Sequence, residues 1–342
     1  MTGAALADLI AGHAEPILGA VFEDAAPAAA ARALDGFCEH ALGSRIATGE
    51  FFSAGVAVVA GVRLRDGRRV VVKLHHPRAG ARFLAAAQTA QRRLFAAGYP
   101  APEPLVAPTP LGRGTAAAEA LLAAGPPADA HDPAMRRAMA RALADLVARC
   151  RPFLALHDLR DHLMAVRDGR LWPAEHDPRF DFERTRAGAE WIDTVGEAAA
   201  GGREAGDLVV AHADWRAEHL RFAGERLTAV YDWDSVVIGH EPALLGLTAH
   251  MFTADWAATE PRRRLPACGE ALAFLAEYEA ARGAPFAPAE RRAARAALVY
   301  WMAYTARCEH SDAVLMPWGR PDPPPDSARA FLAAHANALL SG

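Results

Sequence analysis

The 342-residue sequence is poor in lysine and in cysteine. Of its 37 basic residues, Lys73 is the only lysine, and all the others are arginine. The four cysteines, Cys38, Cys150, Cys268 and Cys308, lie far apart and form no Cys-x-x-Cys pair. This spacing argues against a zinc ribbon and against a framework of disulfides, and it is typical of a protein from a reducing compartment.

The chain also lacks a strong excess of charge of either sign. It has 37 basic and 41 acidic residues, which gives a formal net charge of −4 with neutral histidines. General nucleic-acid-binding proteins usually carry a basic excess, so this balance argues against nucleic acid as a partner. A local basic pocket for a phosphate group remains compatible with it.

No segment has the features of a signal peptide or of a membrane span. The first residues lack a basic stretch, and Asp8 and His13 interrupt the apolar pattern there. The apolar run 296–306 is shorter than the roughly 20 residues that a membrane helix needs, so it is interpreted as a core helix. We therefore expect a cytoplasmic protein without a membrane partner. The sequence leaves its oligomeric state open.

The first part of the chain, up to residue 124, is predicted to be a mixed unit of helices and strands. Asp66-Gly67 separates two runs of β-branched residues, which is a strong signal for a β-hairpin. The predicted helices are 4–10, 28–42 and 79–97, and the predicted strands are 56–64, 69–74, 105–107 and 115–122.

The second part follows Gly125-Pro126-Pro127, the best internal boundary, and is predicted to be mainly helical. Helices are expected at 133–150, with Asp132 as N-cap, at 179–200 and beyond 242, and strands only at 208–211 and 227–231. The expected organisation is a helical segment 1–44, a small β-sheet lobe 45–124 and a helical lobe 125–342.

One hairpin in the second part carries the most informative residues. A strand that is expected to be buried is followed by His212 and Asp214 in a polar turn, and the return strand is followed by Asp232 and Asp234. The pattern therefore places two acidic residues, Asp214 and Asp232, at one edge of a hairpin. Phosphoryl transfer needs such a pair, because one carboxylate orients the acceptor hydroxyl and the other holds Mg²⁺ on the nucleotide phosphates.

Lys73 is the candidate for neutralising phosphate charge. It follows three valines on a predicted strand, and a single lysine among arginines suggests a site that needs a compact point charge. A solvent-facing strand lysine is the competing interpretation.

Five segments in the same order resemble the aminoglycoside phosphotransferase and choline kinase group, which is related to the protein-kinase fold. The segments are VVVKL at 70–74, GYPAPEPL at 98–105, EALL at 119–122, HADWRAEH at 212–219 and YDWDS at 231–235. The resemblance covers roughly residues 45 to 309. It implies an α+β, two-lobed protein-kinase-like fold that binds ATP or GTP with Mg²⁺ between a small β-sheet N-lobe and a larger, mainly helical C-lobe.

The resemblance also implies roles for individual residues. Asp214 would be the catalytic base, His212 would brace its loop, and Asp232 would ligate Mg²⁺. Lys73 would contact the α- and β-phosphates, and the backbone of the hinge 119–122, with Glu119 and Leu121, would bind adenine. The segment 49–55, GEFFSAG with Ser53, would be the loop over the phosphates.

Two positions depart from the family pattern. His219 stands where the family has an asparagine as second metal ligand, and an imidazole suits Mn²⁺ better than Mg²⁺. Alternatively, the neighbouring Glu218 could substitute as the ligand. The helix 79–97 has no acidic residue to pair with the strand lysine, and Gln88 or Gln91 occupies the expected place. An amide gives Lys73 no ion pair, so the lysine should be positioned less firmly.

The acceptor contacts are the least defined part of the site. Asp234, Asp255 and Glu309 are candidates for binding a small-molecule acceptor such as an aminoglycoside, an amino alcohol or a sugar. Arg216 could pair with Asp214 or with a phosphate. Trp215 and Trp233 flank the two acids and are interpreted as packing beneath the site.

Three functions are compatible with these residues. The favoured one is an ATP-dependent phosphotransferase that moves the γ-phosphate to a hydroxyl group of a small molecule. The departures at His219 and in the helix also fit a weak or inactive kinase-like protein that binds a nucleotide or metabolite. An unrelated metal-dependent hydrolase could use His212, Asp214, His219 and Asp232 as ligands.

Overall fold

The computed structural model describes residues 2–13, 16–162, 164–167, 169–177, 179–256, 264–316 and 322–342. The chain forms two compact units. The first comprises residues 1–123 with 161–163 and 176–178, and the second comprises the remaining residues. Within the described ranges, no helix has the length and hydropathy that crossing a bilayer requires.

The first unit is built on a five-stranded antiparallel sheet in the order β1-β2-β3-β5-β4. Its strands are β1 (Ile46–Ala54), β2 (Ala57–Leu64), β3 (Arg69–His75), β4 (Pro104–Leu111) and β5 (Gly114–Ala120), and its helices are α1 (Thr2–Ala11), α2 (Pro16–Val21), α3 (Pro27–Leu42) and α4 (Ala81–Ala96). The Asp66-Gly67 hairpin is confirmed between β2 and β3, with Gly67 at φ 91°.

The core of this unit lies on one face of the sheet. Alternate residues of β3, among them Val72 and Leu74, are fully buried with residues of α1 and α3 such as Leu6 and Leu34. Because side chains alternate across a strand, the intervening residues, Lys73 among them, lie on the opposite face.

The segment 49–55, which was predicted as the loop over the phosphates, consists largely of a strand. Residues 49–54 belong to β1, and only Gly55 lies in the turn to β2. A Cβ at Gly49 would lie 2.7 Å from the Leu9 Cδ1 and 3.1 Å from the Leu6 Cδ1. Gly49 therefore allows helix α1 to pack closely on β1, which explains this glycine without a phosphate.

The second unit is mainly helical and carries two small antiparallel sheets. Its helices are α5 (Pro133–Cys150), α6 (Glu190–Ala200), α7 (Glu241–Ala249), α8 (Cys268–Ala281), α9 (Pro288–Leu315) and α10 (Ala328–Ser341). One sheet pairs β6 (Leu208–His212) with β9 (Val236–His240), and the other pairs β7 (Leu220–Ala223) with β8 (Arg226–Val230). Strand β9 and its pairing with β6 were not predicted.

Helix α5 begins as predicted, and its N-cap Asp132 accepts a hydrogen bond from the Ala134 N–H at 2.7 Å. The run 296–306 is confirmed as the buried middle of α9.

The prediction of a helix over 179–200 is wrong in its first half, because the helix begins only at Glu190. The buried Arg307 guanidinium donates hydrogen bonds to the Phe182 carbonyl (2.8 Å) and to the Thr185 carbonyl (3.2 Å). Gly188 adopts φ 83°, which ends the turn before α6. A tertiary contact from α9 thus takes carbonyl groups that a helix would have used.

Candidate functional site

Strand pairing in the second unit brings Asp214 and Asp232 together. His212 at the end of β6 pairs with Val236 at the start of β9, and the Ala213 N–H donates to the Ser235 carbonyl at 2.8 Å. Asp214 follows β6 and Asp232 precedes β9. The two acids therefore leave the same end of one two-stranded sheet.

The second hairpin places His219 beside them. Leu220 pairs with Val230, and the Tyr231 N–H donates to the His219 carbonyl at 2.9 Å. One potential ligand atom from each of Asp214, His219 and Asp232 lies within 4.8 Å of the others. Two carboxylates and one imidazole thus converge at a place that could hold a divalent cation.

The buried His212 side chain connects the end of β6 to the segments that carry Asp214 and Asp232. Its Nε2 lies 2.9 Å from the Tyr231 carbonyl, and its Nδ1 accepts a hydrogen bond from the Asp214 N–H at 3.2 Å. Burial lowers the pKa of His212, although the carboxylate of Asp232 acts in the opposite direction. A neutral imidazole with a proton on Nε2 satisfies both contacts.

The two carboxylate oxygens of Asp214 have different surroundings. Oδ2 lies 3.0 Å from the His219 Nε2, and Oδ1 lies 3.2 Å from the Arg216 Nη1. The Oδ1 atom is buried and accepts no hydrogen bond from the described residues. Burial alone would raise the pKa of Asp214, but Arg216 and His219 outweigh it and hold this pKa below its ordinary value.

Asp232 has an unusual backbone conformation. Its φ of 64° and ψ of 48° make it the one non-glycine residue with positive φ in the described part of the chain. The Ser235 hydroxyl donates to its Oδ2 at 2.8 Å, and the Ser235 N–H donates to its carbonyl at 3.0 Å. Left-handed backbone at a non-glycine residue is concentrated at functional sites. Ser235 was not singled out from the sequence, although it stands in the YDWDS segment.

Arg216 connects Asp214 to Glu218, the acid that could substitute for His219 as a metal ligand. Its Nε lies 3.3 Å from the Glu218 Oε2 in an ion pair, and this oxygen accepts a hydrogen bond from the Trp256 N–H at 3.3 Å. In the structure Arg216 forms an ion pair with Asp214, with its Nη1 3.2 Å from the Oδ1.

Asp255 lies in an irregular segment that is hydrogen-bonded to the loop after Asp214. The Ala217 N–H donates to the Phe252 carbonyl at 2.9 Å, and the Glu218 N–H donates to the Ala254 carbonyl at 3.2 Å. The Oδ1 atom of Asp255 is buried and accepts no hydrogen bond from the described residues.

Trp215 and Trp233 are packing residues, as the sequence indicated. They are 0% and 1% exposed, and both rings contact His212 edge to face. Their Nε1–H groups donate to the carbonyls of Met139 and Val230, so no polar atom of either indole is left for a ligand.

The other two acceptor candidates lie in different surroundings. Asp234 is half-buried in the short turn after Asp232. Glu309, on α9, accepts hydrogen bonds from the N–H groups of Ala328 (2.8 Å) and Arg329 (3.1 Å) at the start of α10. The described contacts of Glu309 thus cap a helix instead of joining the Asp214 cluster.

In the first unit, the predicted nucleotide-binding side chains share one face of the sheet. Ser53 on β1 pairs with Val59 on β2, Val59 pairs with Lys73 on β3, and Lys73 pairs with Ala117 on β5. Directly paired residues point to the same face. Ser53 and Lys73 are therefore two strands apart on the face opposite the core.

The two glutamines of α4 contact the sheet edge. The Gln88 amide donates to the Val106 carbonyl at 2.7 Å, and the Gln91 amide donates to the Pro102 carbonyl at 3.0 Å and to the Glu119 Oε2 at 2.7 Å. The Leu121 N–H donates to the Arg69 carbonyl at 3.0 Å, so this N–H is used within the sheet.

Comparison with known proteins identifies the family. The model of the phosphotransferase enzyme family matches residues 49–259, and the chain belongs to this family. The match includes Lys73, Asp214 and Asp232, and it decides against an unrelated metal-dependent hydrolase. Among curated proteins, no significant match is found.

Solved structures of low sequence identity share the fold. A spectinomycin phosphotransferase with ADP and spectinomycin is 12% identical, with a TM-score of 0.54 over 90% of this chain and 98% of that one. An amicoumacin kinase with AMP-PNP and Ca²⁺ is 11% identical, with a TM-score of 0.53 over 86% and 88%. A macrolide 2′-phosphotransferase from Brachybacterium faecium is 19% identical, with a TM-score of 0.51 over 85% and 99%. The α+β kinase-like fold expected from the sequence is confirmed.

Proposed function

We propose that this protein transfers the γ-phosphate of ATP or GTP to a hydroxyl group of a small molecule. The observation that carries the proposal is the state of Asp214. Its Oδ2 faces His219, while its buried Oδ1 forms an ion pair with Arg216 and accepts no hydrogen bond from the described residues. A carboxylate that is kept ionised and has one oxygen without a hydrogen bond can accept the proton of an attacking hydroxyl.

In the proposed reaction the acceptor hydroxyl oxygen forms a bond to the γ-phosphorus. The bond between that phosphorus and the bridging oxygen breaks, and the nucleoside diphosphate leaves with the electron pair. The hydroxyl proton passes to Asp214 Oδ1 and then to solvent. His212 holds the loop, since it accepts the Asp214 N–H. Most of the acceleration would come from positioning and from neutralised charge.

The residues present fit a divalent cation, with Asp232 and His219 as proposed ligands. Ser235 fixes one oxygen of Asp232, and the imidazole offers a nitrogen donor. The His219 Nε2 can donate to Asp214 or bind a cation, but not both, because the two uses require opposite protonation of one nitrogen. Mg²⁺ would neutralise charge on the phosphates, and Mn²⁺ would accept the imidazole more readily.

The nucleotide contacts proposed for the first unit are Lys73 and Ser53 with the phosphates and the backbone of 119–122 with the base. The Leu121 N–H is not among the proposed base contacts, because it donates a hydrogen bond to the Arg69 carbonyl. The bound ADP and AMP-PNP of two structural neighbours support the choice of a nucleotide as phosphate donor.

Asp255 is the best supported of the three acceptor candidates. Its Oδ1 is buried and accepts no hydrogen bond from the part of the chain that the structure describes, and its segment is bound to the loop of Asp214. Asp234 stays a candidate by its position, and Glu309 is the least supported because it caps α10. The neighbours named for spectinomycin, amicoumacin and macrolides suggest a natural-product acceptor with several hydroxyl groups.

A second candidate function is nucleotide or metabolite binding without transfer. The contact of His219 with Asp214 favours it, because this histidine stands at a metal position of the family and is engaged with the proposed base instead.

The experiment that tests the proposal is the melting temperature with ATP plus Mg²⁺, ATP plus Mn²⁺, and ATP plus EDTA. A ligand at about 100 times its dissociation constant stabilises a protein by roughly 2.7 kcal/mol. A shift that requires the metal, followed by phosphorylation of an acceptor from a hydroxyl-rich panel, supports transfer. A metal-dependent shift without any transfer supports the binding protein, and no shift in any condition contradicts both.

A further inference from the structure

The guanidinium of Arg216 lies between two carboxylates at ion-pair distance from both. Its Nη1 is 3.2 Å from the Asp214 Oδ1, and its Nε is 3.3 Å from the Glu218 Oε2. A hydrogen bond between a guanidinium and a carboxylate usually measures about 2.7–2.9 Å. Within the described part of the chain, the buried Nε and the buried Oδ1 take part in no hydrogen bond. The guanidinium is therefore shared between the two acids.

The Glu218 side chain is anchored to its surroundings. Its Oε2 accepts a hydrogen bond from the Trp256 N–H at 3.3 Å. The Glu218 N–H donates to the Ala254 carbonyl at 3.2 Å, and the Glu218 carbonyl accepts from the Arg221 Nη1 at 2.9 Å. A carboxylate that is anchored in this way does not follow the guanidinium towards Asp214.

The Asp214 carboxylate is anchored on the side away from Arg216. Its Oδ2 lies 3.0 Å from the His219 Nε2, and the Asp214 N–H donates to the His212 Nδ1 at 3.2 Å. Opposite charges in a partly buried place attract each other strongly, because solvent screens them little. If Asp214 alone attracted Arg216, the guanidinium would close onto Oδ1 and donate a hydrogen bond to it. Glu218 supplies the opposing attraction.

We propose that Glu218 holds Arg216 away from Asp214 and thereby keeps Oδ1 able to accept the hydroxyl proton. Glu218 is a positioning residue in this role, since it acts on the proposed base through Arg216. Its effect on transfer rests on the proposed function, whereas the position of the guanidinium does not. The role also differs from that of a metal ligand, which the sequence left open for Glu218.

Crystal structures of wild type and Glu218→Gln test the restraint without any nucleotide. Glutamine has the same shape and still offers an oxygen to the Trp256 N–H, but it lacks the charge that attracts Arg216. We expect the distance from the guanidinium to the Asp214 Oδ1 to shorten to about 2.7–2.9 Å, with an N–H aimed at this oxygen. An unchanged position of the guanidinium would overturn the proposal.

Glu225→Gln is the matched control. Glu225 lies in the turn between β7 and β8 and forms an exposed ion pair of 2.6 Å with Arg141. Its replacement removes the same charge from the chain without removing a partner of Arg216. The guanidinium position and kcat should stay as in wild type. Closure of Arg216 onto Asp214 in this control would show that net charge alone moves it, and would contradict a specific role of Glu218.

A double-mutant cycle separates the restraint from a merely structural role. Because Arg216 would then occupy the oxygen of the proposed base, Glu218→Gln should lower kcat at least about tenfold. The KM for ATP should change less than about twofold, since the proposed nucleotide contacts lie elsewhere. In the Arg216→Gln background no guanidinium can close, so Glu218→Gln should change kcat less than about twofold. Equal losses in both backgrounds would overturn the proposal.

The same variants separate this proposal from the proposed function. Glu218→Gln should keep the metal-dependent melting shift that wild type shows with ATP. Loss of the shift in this variant would identify Glu218 as a metal ligand and would overturn the proposal. A wild-type protein that shows neither shift nor transfer contradicts the proposed function, and the crystal structures then decide whether Glu218 restrains Arg216.

Discussion

The Nε2 of His219 lies 3.0 Å from the Oδ2 of Asp214. A residue that stands at a metal position of the family is thus in contact with the residue at the position of the base. Together with Arg216 at 3.2 Å on the other oxygen, it leaves Asp214 ionised between two basic groups. Within the described residues, Oδ1 has this ion pair and accepts no hydrogen bond.

Asp214→Asn should abolish most of the transfer while nucleotide binding persists. The amide cannot accept the hydroxyl proton, and loss of a general base costs about 10²- to 10⁴-fold in rate. The measurement is kcat with an identified acceptor, beside the metal-dependent melting shift with ATP. Asp145→Asn, an exposed residue paired with Arg149 on α5, is the control and should keep wild-type kcat. Unchanged kcat in Asp214→Asn would leave only the binding function.

His219→Asn should change the preferred metal. Asparagine offers an oxygen ligand and removes the imidazole, so the ratio of activity with Mn²⁺ to activity with Mg²⁺ should fall. The measurement is kcat/KM for ATP at saturating concentrations of each metal. A constant ratio with a lowered kcat would show that His219 serves Asp214 and does not ligate the cation.

The buried His250 should make the free energy of unfolding depend on pH. Burial lowers its pKa to about 4, below its ordinary value of 6.5. Between these values the unfolded chain binds the proton more readily, so the free energy of unfolding should fall as the pH drops from about 6.5 to 4. The total effect of this group is about 3 kcal/mol.

Urea unfolding of wild type and His250→Gln across this range measures the effect. The variant should show a shallower decline, with part of the slope left because burial also lowers the pKa of His212. His40→Gln, on the exposed surface of α3, is the control. Identical slopes in wild type and His250→Gln would contradict the assignment.

Two glycine-to-alanine changes in helices should have opposite effects on stability. At Gly246 on α7, a Cβ would lie 2.3 Å from the Ala294 carbonyl oxygen and 2.7 Å from the Leu298 nitrogen of α9. Backbone atoms cannot move aside, so Gly246→Ala should cost at least about 1–3 kcal/mol. At Gly36 on α3 nothing lies within 4 Å, and alanine there should add about 0.5–1 kcal/mol. Thermal or urea unfolding of both variants measures whether each change lowers or raises the free energy of unfolding.

Much of the fold could be predicted because its signals are local. The turn residues Asp66-Gly67 specify a hairpin between β2 and β3, and Asp132 before Pro133 specifies the start of α5. The order of Lys73, Asp214 and Asp232 along the chain led to the right family. These features depend on dihedral preferences and spacing that a few neighbouring residues determine.

The errors lie where distant contacts override local preference. Residues 179–189 have a helical composition, but Arg307 binds two of their carbonyls from α9. The segment 49–55 was predicted as a loop, but residues 49–54 form part of β1, and Gly49 allows the close packing of α1 on this strand. In both cases the contacting residues lie far from the segment in sequence, so no local pattern could have revealed the contact.

The sequence by itself determined which chemical groups this protein has: one lysine, the two acids Asp214 and Asp232, a histidine at a metal position, and no acid in α4. Only the tertiary structure decided which of these groups meet. The pairing of β6 with β9 aligned the two acids, and the hairpin of β7 and β8 brought His219 onto Asp214. The physical reason is that strand pairing fixes neighbours through hydrogen bonds between segments far apart in the chain, and one residue of register moves a side chain to the other face.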